Sequence, residues 1–442
     1  MIVGSKRLFT ASIAILLAAC LCVPISQHFF SELPPTSGAA KRPVILVPGL
    51  AGSVLQAKLH KDSAPWFCYK NSDWFNIWFV YVAACPPHLL NRHVDAGFVT
   101  CFNRFDLPDI IRTQCLMANM VLSYNSTTHE YSYPQGVDMR TAVDWGGVDG
   151  VSWLYFLHMG NFKYFADVVA AFVAENYTIG ANIRAAPYDW RLAPDGLNRS
   201  GFFANLSQLV VDTYEKNGQT KVAIVAHSLG TMLTRHWLLH ESPDFIAQYV
   251  DTFVAISPPF AGAVATIMGI ISGYTFDIPL PHDWFRPTLL ASPSIVYLTP
   301  LDSVFGDRVL VSTNNVTYNS SQILDMLEGV NAKQAQEYWT FLADMRYDGT
   351  PMPSRQALLS SSLLLSHHRK YCETDVFVCS FSVQLHCVYG YDVETFDSLH
   401  YNVAELNPNM PAPTVRWGDG DGTVRCATPA REPWPYSPLA CR

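Results

Sequence analysis

Lys221-Val222-Ala223-Ile224-Val225-Ala226-His227-Ser228-Leu229-Gly230 carries a strand-forming apolar run into a small-x-Ser-x-Gly corner, and Thr231 to His240 continues with helix-competent residues. Strand, sharp turn and helix in that order are the layout of a nucleophile elbow. The turn is so tight that the residues two before and two after the serine must be small, and Ala226 and Gly230 both are. The layout predicts that Ser228 Oγ stands exposed at the C-terminal edge of a parallel sheet, above the positive end of the following helix. The plain alternative is an ordinary strand-to-helix turn that happens to contain a serine. Ser-x-Gly alone is common, and the strand and helix patterns on its two sides separate the readings.

Working outward, Pro43 to Val47 is a short continuous apolar run, which suits a buried parallel strand, and Pro48-Gly49-Leu50-Ala51-Gly52-Ser53 ends it in a turn rich in backbone N–H groups. Helical spacing over Tyr164 to Val173, a strand and turn over Asn182 to Arg191, a helix over about Ala204 to Lys216 and a strand over Val250 to Ile256 surround the elbow. This alternation predicts a doubly wound, mostly parallel α/β sheet. From about Ala263 to Ser366 the rhythm breaks into a Pro- and Ser-rich stretch, expected as a cap inserted over the sheet edge (about 263–380), and Phe381 to Tyr389 resumes as a strand. Between Trp66 and Cys101 the chain is aromatic and nearly uncharged. Trp74, Phe75, Trp78 and Phe79 are the expected lid or membrane-touching surface, and a core helix hairpin is the equally weighted alternative.

The whole chain has 442 residues, enough for one large domain or two ordinary ones, and a formal net charge of -8 with scattered Lys and Arg, which argues against nucleic acid as a partner. Charged residues make up 15% and hydrophobic ones 49%, a balance that suits work on apolar substrates at an interface. A basic pair, Lys6-Arg7, precedes an apolar run from Leu8 to Val23, which reads as a secretory signal or an uncleaved anchor (1–26), followed by a polar linker (27–41) and the catalytic domain (42–442). Six sequons, at Asn125, Asn176, Asn198, Asn205, Asn315 and Asn319, support the secretory route, to the extracellular space or the lysosome. Outside the signal the cysteines fall into an early group (Cys68, Cys85, Cys101, Cys115) and a late one (Cys372, Cys379, Cys387, Cys426, Cys441), in a compartment where disulfides persist. No C-x-x-C or cysteine–histidine finger spacing occurs, so neither a metal nor another cofactor is expected.

A serine is a poor nucleophile at neutral pH, so the elbow needs a base, an acid to orient it and N–H donors for an oxyanion. Leu229, directly after the nucleophile, supplies one N–H by geometry, and the turn after the first strand supplies the other, expected at Leu50. Trp417-Gly418-Asp419-Gly420-Asp421-Gly422-Thr423-Val424 is the natural acid loop, with glycines that let the backbone turn sharply around Asp421. A calcium loop is the competing reading of such a Gly-Asp stretch, and the glutamate an EF-hand requires at its twelfth position is absent.

Taken together, Arg42 to Gly49, Trp66-Phe67-Cys68-Tyr69 with Ile77-Trp78, Arg184 to Arg191, Val225 to Ser228, Leu385 to Gly390 and Gly418 to Val424 resemble the lecithin:cholesterol acyltransferase and lysosomal phospholipase A family, from about Arg42 to Val424. The resemblance implies an α/β-hydrolase fold that cleaves a phospholipid acyl ester through an acyl-serine and passes the acyl group to water or a lipid alcohol at a membrane or lipoprotein surface. It implies Ser228 as nucleophile, Asp421 as acid, Leu50 and Leu229 as oxyanion donors, and Trp78 as part of a mobile lid over the acyl groove.

Three departures stand against that pattern. Leu50 replaces the Asn or Asp usual after the Pro-Gly, which keeps the N–H and loses the polar side chain. No cysteine lies near Asn91 to pair with Cys68, so Cys85, Cys101 or Cys115 must substitute or the loop is open. No histidine follows Asp421. The expectation is therefore a chain whose C-terminal histidine segment is missing and whose catalysis is crippled, unless His386 or His400 folds back as a substitute base. The alternative function is a secreted lipid-binding relative without turnover.

Overall fold

Four consecutive apolar residues, Val44 to Val47, form β1 (Val44–Val47) and are buried at every position, because helices cover the sheet on both faces. The computed structural model describes residues 41–78, 114–141, 144–154, 163–275, 282–345 and 383–424. The signal or anchor segment, Phe79 and the residues after Val424 lie outside this range, and among the described residues no helix is long and apolar enough to cross a membrane.

After β1 the chain builds a side sheet from β2 (Leu55–His60) and β3 (Asn71–Trp78), a hairpin of β4 (Ser123–Asn125) and β5 (Glu130–Ser132), and β6 (Val137–Thr141), which pairs with β2. Strands β7 (Ile183–Ala185), β8 (Val222–His227) and β9 (Val250–Ile256) return to the central sheet, β10 (Val311–Ser312) and β11 (Thr317–Tyr318) begin a second one, and β12 (Gln384–Val388) rejoins the first. Finally β13 (Val393–His400) and β14 (Thr414–Gly420) complete the second sheet, in the order β11-β10-β13-β14.

The central order is β12-β9-β8-β1-β7, and every pairing in it is parallel. Successive side chains of a strand alternate between faces, so its apolar residues divide between two cores. Ile45, Val47, Ile224, Ala226, Phe253 and Ala255 join the larger core, while Val44, Leu46, Ile183, Ala185, Ala223 and Val225 join the smaller one on the opposite face. Beside β8, the helix Phe202–Lys216 buries Phe202, Phe203, Leu206, Leu209, Val210 and Thr213, the three-and-four spacing that puts one stripe on the core.

The stretch after β9, expected to be irregular, is largely helical among its described residues. Helix Val264–Ser272 is buried at all nine positions, and helices His282–Leu290, Pro293–Tyr297, Ile323–Gly329 and Lys333–Met345 follow. Its prolines mislead because Pro293 starts a helix, where the missing N–H costs nothing, and Pro287 is tolerated inside one.

Candidate active site

Ser228 sits at the C-terminal end of β8 with φ 50° and ψ -123°, backbone that a residue with a Cβ seldom adopts. Its N–H donates to the carbonyl of Ile256 at 2.9 Å, and its carbonyl accepts from the Thr231 N–H at 2.9 Å and the Thr231 hydroxyl at 2.6 Å. A side chain at Gly230 would bring its Cβ to 2.3 Å from the Pro48 carbonyl oxygen, and one at Gly49 to 2.7 Å from Ser228 Cβ. Both glycines are therefore required for the loop after β1 to lie directly against the elbow. Leu229 opens the helix Leu229–His240, so its N–H belongs to the first turn, whose donors have no carbonyl four residues back.

The loop carrying Leu50 is held by aromatic side chains on both sides of that residue. Tyr188 donates its hydroxyl to the Pro48 carbonyl at 2.7 Å, the Gly49 N–H donates to the Tyr164 hydroxyl at 2.8 Å, and Trp78 Nε1 donates to the Ala51 carbonyl at 2.8 Å. Gly52 closes the turn with its N–H on the Gly49 carbonyl at 3.0 Å.

Asp421 lies just past β14 at the same sheet edge. The path from Ser228 runs through hydrogen-bonded neighbours: Ser228 bonds Ile256, the Ser257 N–H donates to Val388 at 2.7 Å, and a Cβ on Gly390 would stand 3.0 Å from Asp421 Cβ. Asp421 is buried, and its Oδ1 accepts from the N–H groups of Thr423 at 2.9 Å and Val424 at 2.7 Å. Asp419, its neighbour in the loop, is occupied otherwise, with Oδ1 accepting the Asp392 N–H at 2.7 Å. Ser228, Asp421 and the Leu50 and Leu229 amides are thus brought to one edge of the central sheet.

The histidines are not brought there in the same way. His386 projects from β12 with an exposed side chain, and His400, exposed on β13, bonds Ser312 Oγ through Nδ1 at 3.0 Å. His236 and His240 stack on each other on the helix behind the elbow, with ring centroids 4.1 Å apart. His227 points its Nδ1 to the Tyr164 hydroxyl rather than toward the nucleophile. Desolvation lowers the His227 imidazole to about 4, so it is neutral in the folded chain at neutral pH. A native imidazole held below its unfolded value of about 6.5 adds stability that is fully present above that pH and is lost as the pH falls toward 4. The expected loss across that window is about 3 kcal/mol. Urea unfolding of the wild type and His227→Gln at pH 7.5 and 4.5 checks this, because the variant lacks the group and loses that part of the slope.

The aromatic surface expected at Trp74, Phe75, Trp78 and Phe79 is corrected for the described residues. Phe75 and Trp78 are buried in the core, with Trp78 at 4.7 Å from Trp190 and 5.6 Å from Phe285 between ring centroids, and Trp74 lies half-buried under Arg140 at 4.0 Å. Phe79 falls outside the described residues. Within its described part, Asn71–Trp78 is a strand, and its alternation turns Phe75 and Ile77 inward. Exposure falls instead on Trp66, 94% accessible and edge-on to Phe67, beside the Cys68–Cys115 disulfide. Cys115 is thus the partner that sequence left open. Tyr164 and the exposed role of Trp66 escaped the sequence reading: a lone tyrosine at the start of a helical pattern carries no spacing signal, and Trp66 stood in a run where every aromatic looked alike.

The lecithin:cholesterol acyltransferase family model matches residues 103–429. The lysosomal phospholipase A and acyltransferase of Bos taurus is 29% identical over 420 residues, covering 92% of this chain and 88% of its own length. The human protein of the same description is 29% identical over 389 residues, covering 86% and 79%. The phosphatidylcholine-sterol acyltransferase of Gallus gallus is 26% identical over 409 residues, covering 89% and 81%. With the elbow, the acid loop and the parallel sheet already described, the match over most of its length means that this chain belongs to the lecithin:cholesterol acyltransferase family.

Proposed function

We propose that this chain cleaves a fatty acyl ester of a phospholipid through an acyl-Ser228 and passes the acyl group to water or a lipid alcohol. The observation that carries the reading is the strained Ser228 elbow sharing one sheet edge with the buried Asp421 carboxylate. Ser228 Oγ attacks the ester carbonyl and yields its proton to a general base, a position that Asp421 is placed to support and that none of the described histidines occupies. The Leu229 and Leu50 N–H groups donate to the developing oxyanion, and collapse expels the lysophospholipid with the proton returned to its oxygen. Attack by water or the hydroxyl of a lipid then frees Ser228. The names of the relatives, a phospholipase A and acyltransferase and a phosphatidylcholine-sterol acyltransferase, support the substrate class.

A lipid surface as the working partner is supported by Trp66 and Phe67, an aromatic pair held beside a disulfide. Burying one indole in a bilayer interface stabilises contact by a few kcal/mol at most, so its loss acts on vesicles and not on soluble substrate. Trp66→Ser is expected to weaken turnover of phosphatidylcholine vesicles about tenfold while a short soluble ester is hydrolysed as before. A secretory and lysosomal or extracellular location is supported by the disulfide and by Asn125, Asn176, Asn198, Asn205 and Asn315, each exposed.

The test is fatty acid release from phosphatidylcholine vesicles by the purified protein, with peptide mass spectrometry of the trapped intermediate. An acyl group on Ser228 supports the reading. Vesicle binding without any release overturns it in favour of the lipid-binding role.

A further inference from the structure

Three side chains hold the oxyanion loop, and one of them also touches the elbow. Tyr188 and Trp78 grip carbonyls on either side of Leu50, which fixes the loop against the sheet and the side sheet. Tyr164 does something different. Its hydroxyl accepts the Gly49 N–H at 2.8 Å and meets Nδ1 of His227, the residue directly before Ser228. Its ring lies flat against Gly52, where any Cβ would stand 2.6 Å from the ring carbon that bears the hydroxyl. One phenol oxygen therefore joins the two chain segments that must keep a fixed separation if the Leu50 and Leu229 amides are to converge on a single oxygen.

We infer that Tyr164 is a positioning residue of the acyl-transfer site, a strut whose hydroxyl locks the Gly49–Gly52 loop to the His227–Ser228 elbow and so sets the aim of the Leu50 N–H. The inference rests on the proposed role of Ser228 for its catalytic arm only. The proton order follows from the chemistry of the three groups. The Gly49 amide can only donate, so the phenol oxygen accepts from it, and with His227 as the Nε2–H tautomer the phenol donates its own proton to Nδ1. That direction requires a neutral ring with its proton on Nε2, and the burial that disfavours the imidazolium keeps the ring neutral. His227 thus has a use that needs no contact with the substrate: it is the acceptor that orients the phenol. The backbone of Tyr164 is anchored as well, its N–H donating to the Ser152 carbonyl at 2.8 Å, so the strut stands on a fixed base.

Tyr164→Phe removes one oxygen and leaves the ring on Gly52. Losing a whole oxyanion donor costs about 10² to 10³ in turnover, and loosening the aim of one of two donors is expected to cost about tenfold in kcat with KM unchanged within about twofold. Hydrogen exchange of a peptide spanning Gly49 to Ser53 reads the strut without any catalysis, and is expected to quicken about tenfold in Tyr164→Phe while the β8 and β9 peptides hold their wild-type rates. His227→Leu, which has no acceptor, should behave like Tyr164→Phe. His227→Gln, which offers an amide oxygen, should restore the slower exchange. Unchanged exchange at Gly49–Ser53 in Tyr164→Phe overturns the inference, as does a quickening spread equally over the sheet, which is general destabilisation, or a loss confined to KM. If Ser228→Ala leaves ester hydrolysis intact, the acyl-serine reading falls, and the exchange measurements still decide for or against the strut.

Discussion

Replacing Ser228 by alanine is expected to abolish covalent capture by a fluorophosphonate and to remove serine-dependent acyl release altogether. The elbow supplies one half-buried serine hydroxyl, held at φ 50° by the β8 turn and by the close approach of Gly49 and Gly230, so no neighbouring hydroxyl inherits the position. Thr231, three residues on, is buried with its hydroxyl committed to the Ser228 carbonyl at 2.6 Å. In the same assay Asp421→Asn should cost at least about a hundredfold, because an amide holds the wrong imidazole tautomer and cannot stabilise the imidazolium. Asp419→Asn should be nearly silent, since Asp419 serves the Asp392 N–H and an amide oxygen can still accept that bond at 2.7 Å. The contrast between the two aspartates is the decisive part: a large loss at Asp419 with little at Asp421 transfers the acid role, and undiminished labelling of Ser228→Ala removes the nucleophile assignment.

The sequence made this core legible where one physical cause dominates. β1 and most of β8 read as continuous apolar runs because both faces of a parallel strand are covered, and β9, although Asp251 and Thr252 interrupt it, is expected over the residues it occupies, Val250 to Ile256. The elbow was legible because its backbone demands small residues, and Ala226 and Gly230 meet that demand. The aromatic segment was not, since a tryptophan dense in sequence has the same composition in a core strand as on a lipid-facing surface. Phe75 and Ile77 do carry the period of two that assigns the strand, but Trp74 and Trp78 obscure it. Long-range partners had no local signal at all. Cys115 joins Cys68 across 47 residues, and Tyr164 reaches Gly49 across 115.

Asp189→Asn is expected to destabilise the fold by about 3 kcal/mol or more, the cost of leaving a buried charge without its partner. Arg191 is fully buried and meets Asp189 through two parallel bonds, Nε to Oδ1 at 2.9 Å and Nη2 to Oδ2 at 2.6 Å, and its Nη1 donates to the Met120 carbonyl at 2.8 Å. Tyr133 covers the guanidinium at 5.4 Å, and the Arg191 carbonyl accepts the Ser294 N–H at 3.1 Å, so one side chain and its backbone tie together four distant parts of the chain. The neutral amide keeps the shape and loses the charge that compensates the guanidinium. Arg191→Met should cost less than Asp189→Asn, because Asp189 retains some access to water while the arginine retains none. The damage should also reach the site. Tyr188 and Trp190 flank Asp189 in sequence, and they bear on the oxyanion loop through the Tyr188 bond to Pro48 and the Trp190 contact with Trp78. Acyl turnover of Asp189→Asn is therefore expected to fall at temperatures where the protein is still folded. Urea titration with a double-mutant cycle on Asp189 and Arg191 measures the coupling, and additive single and double variants would reduce the pair to a surface contact without structural weight.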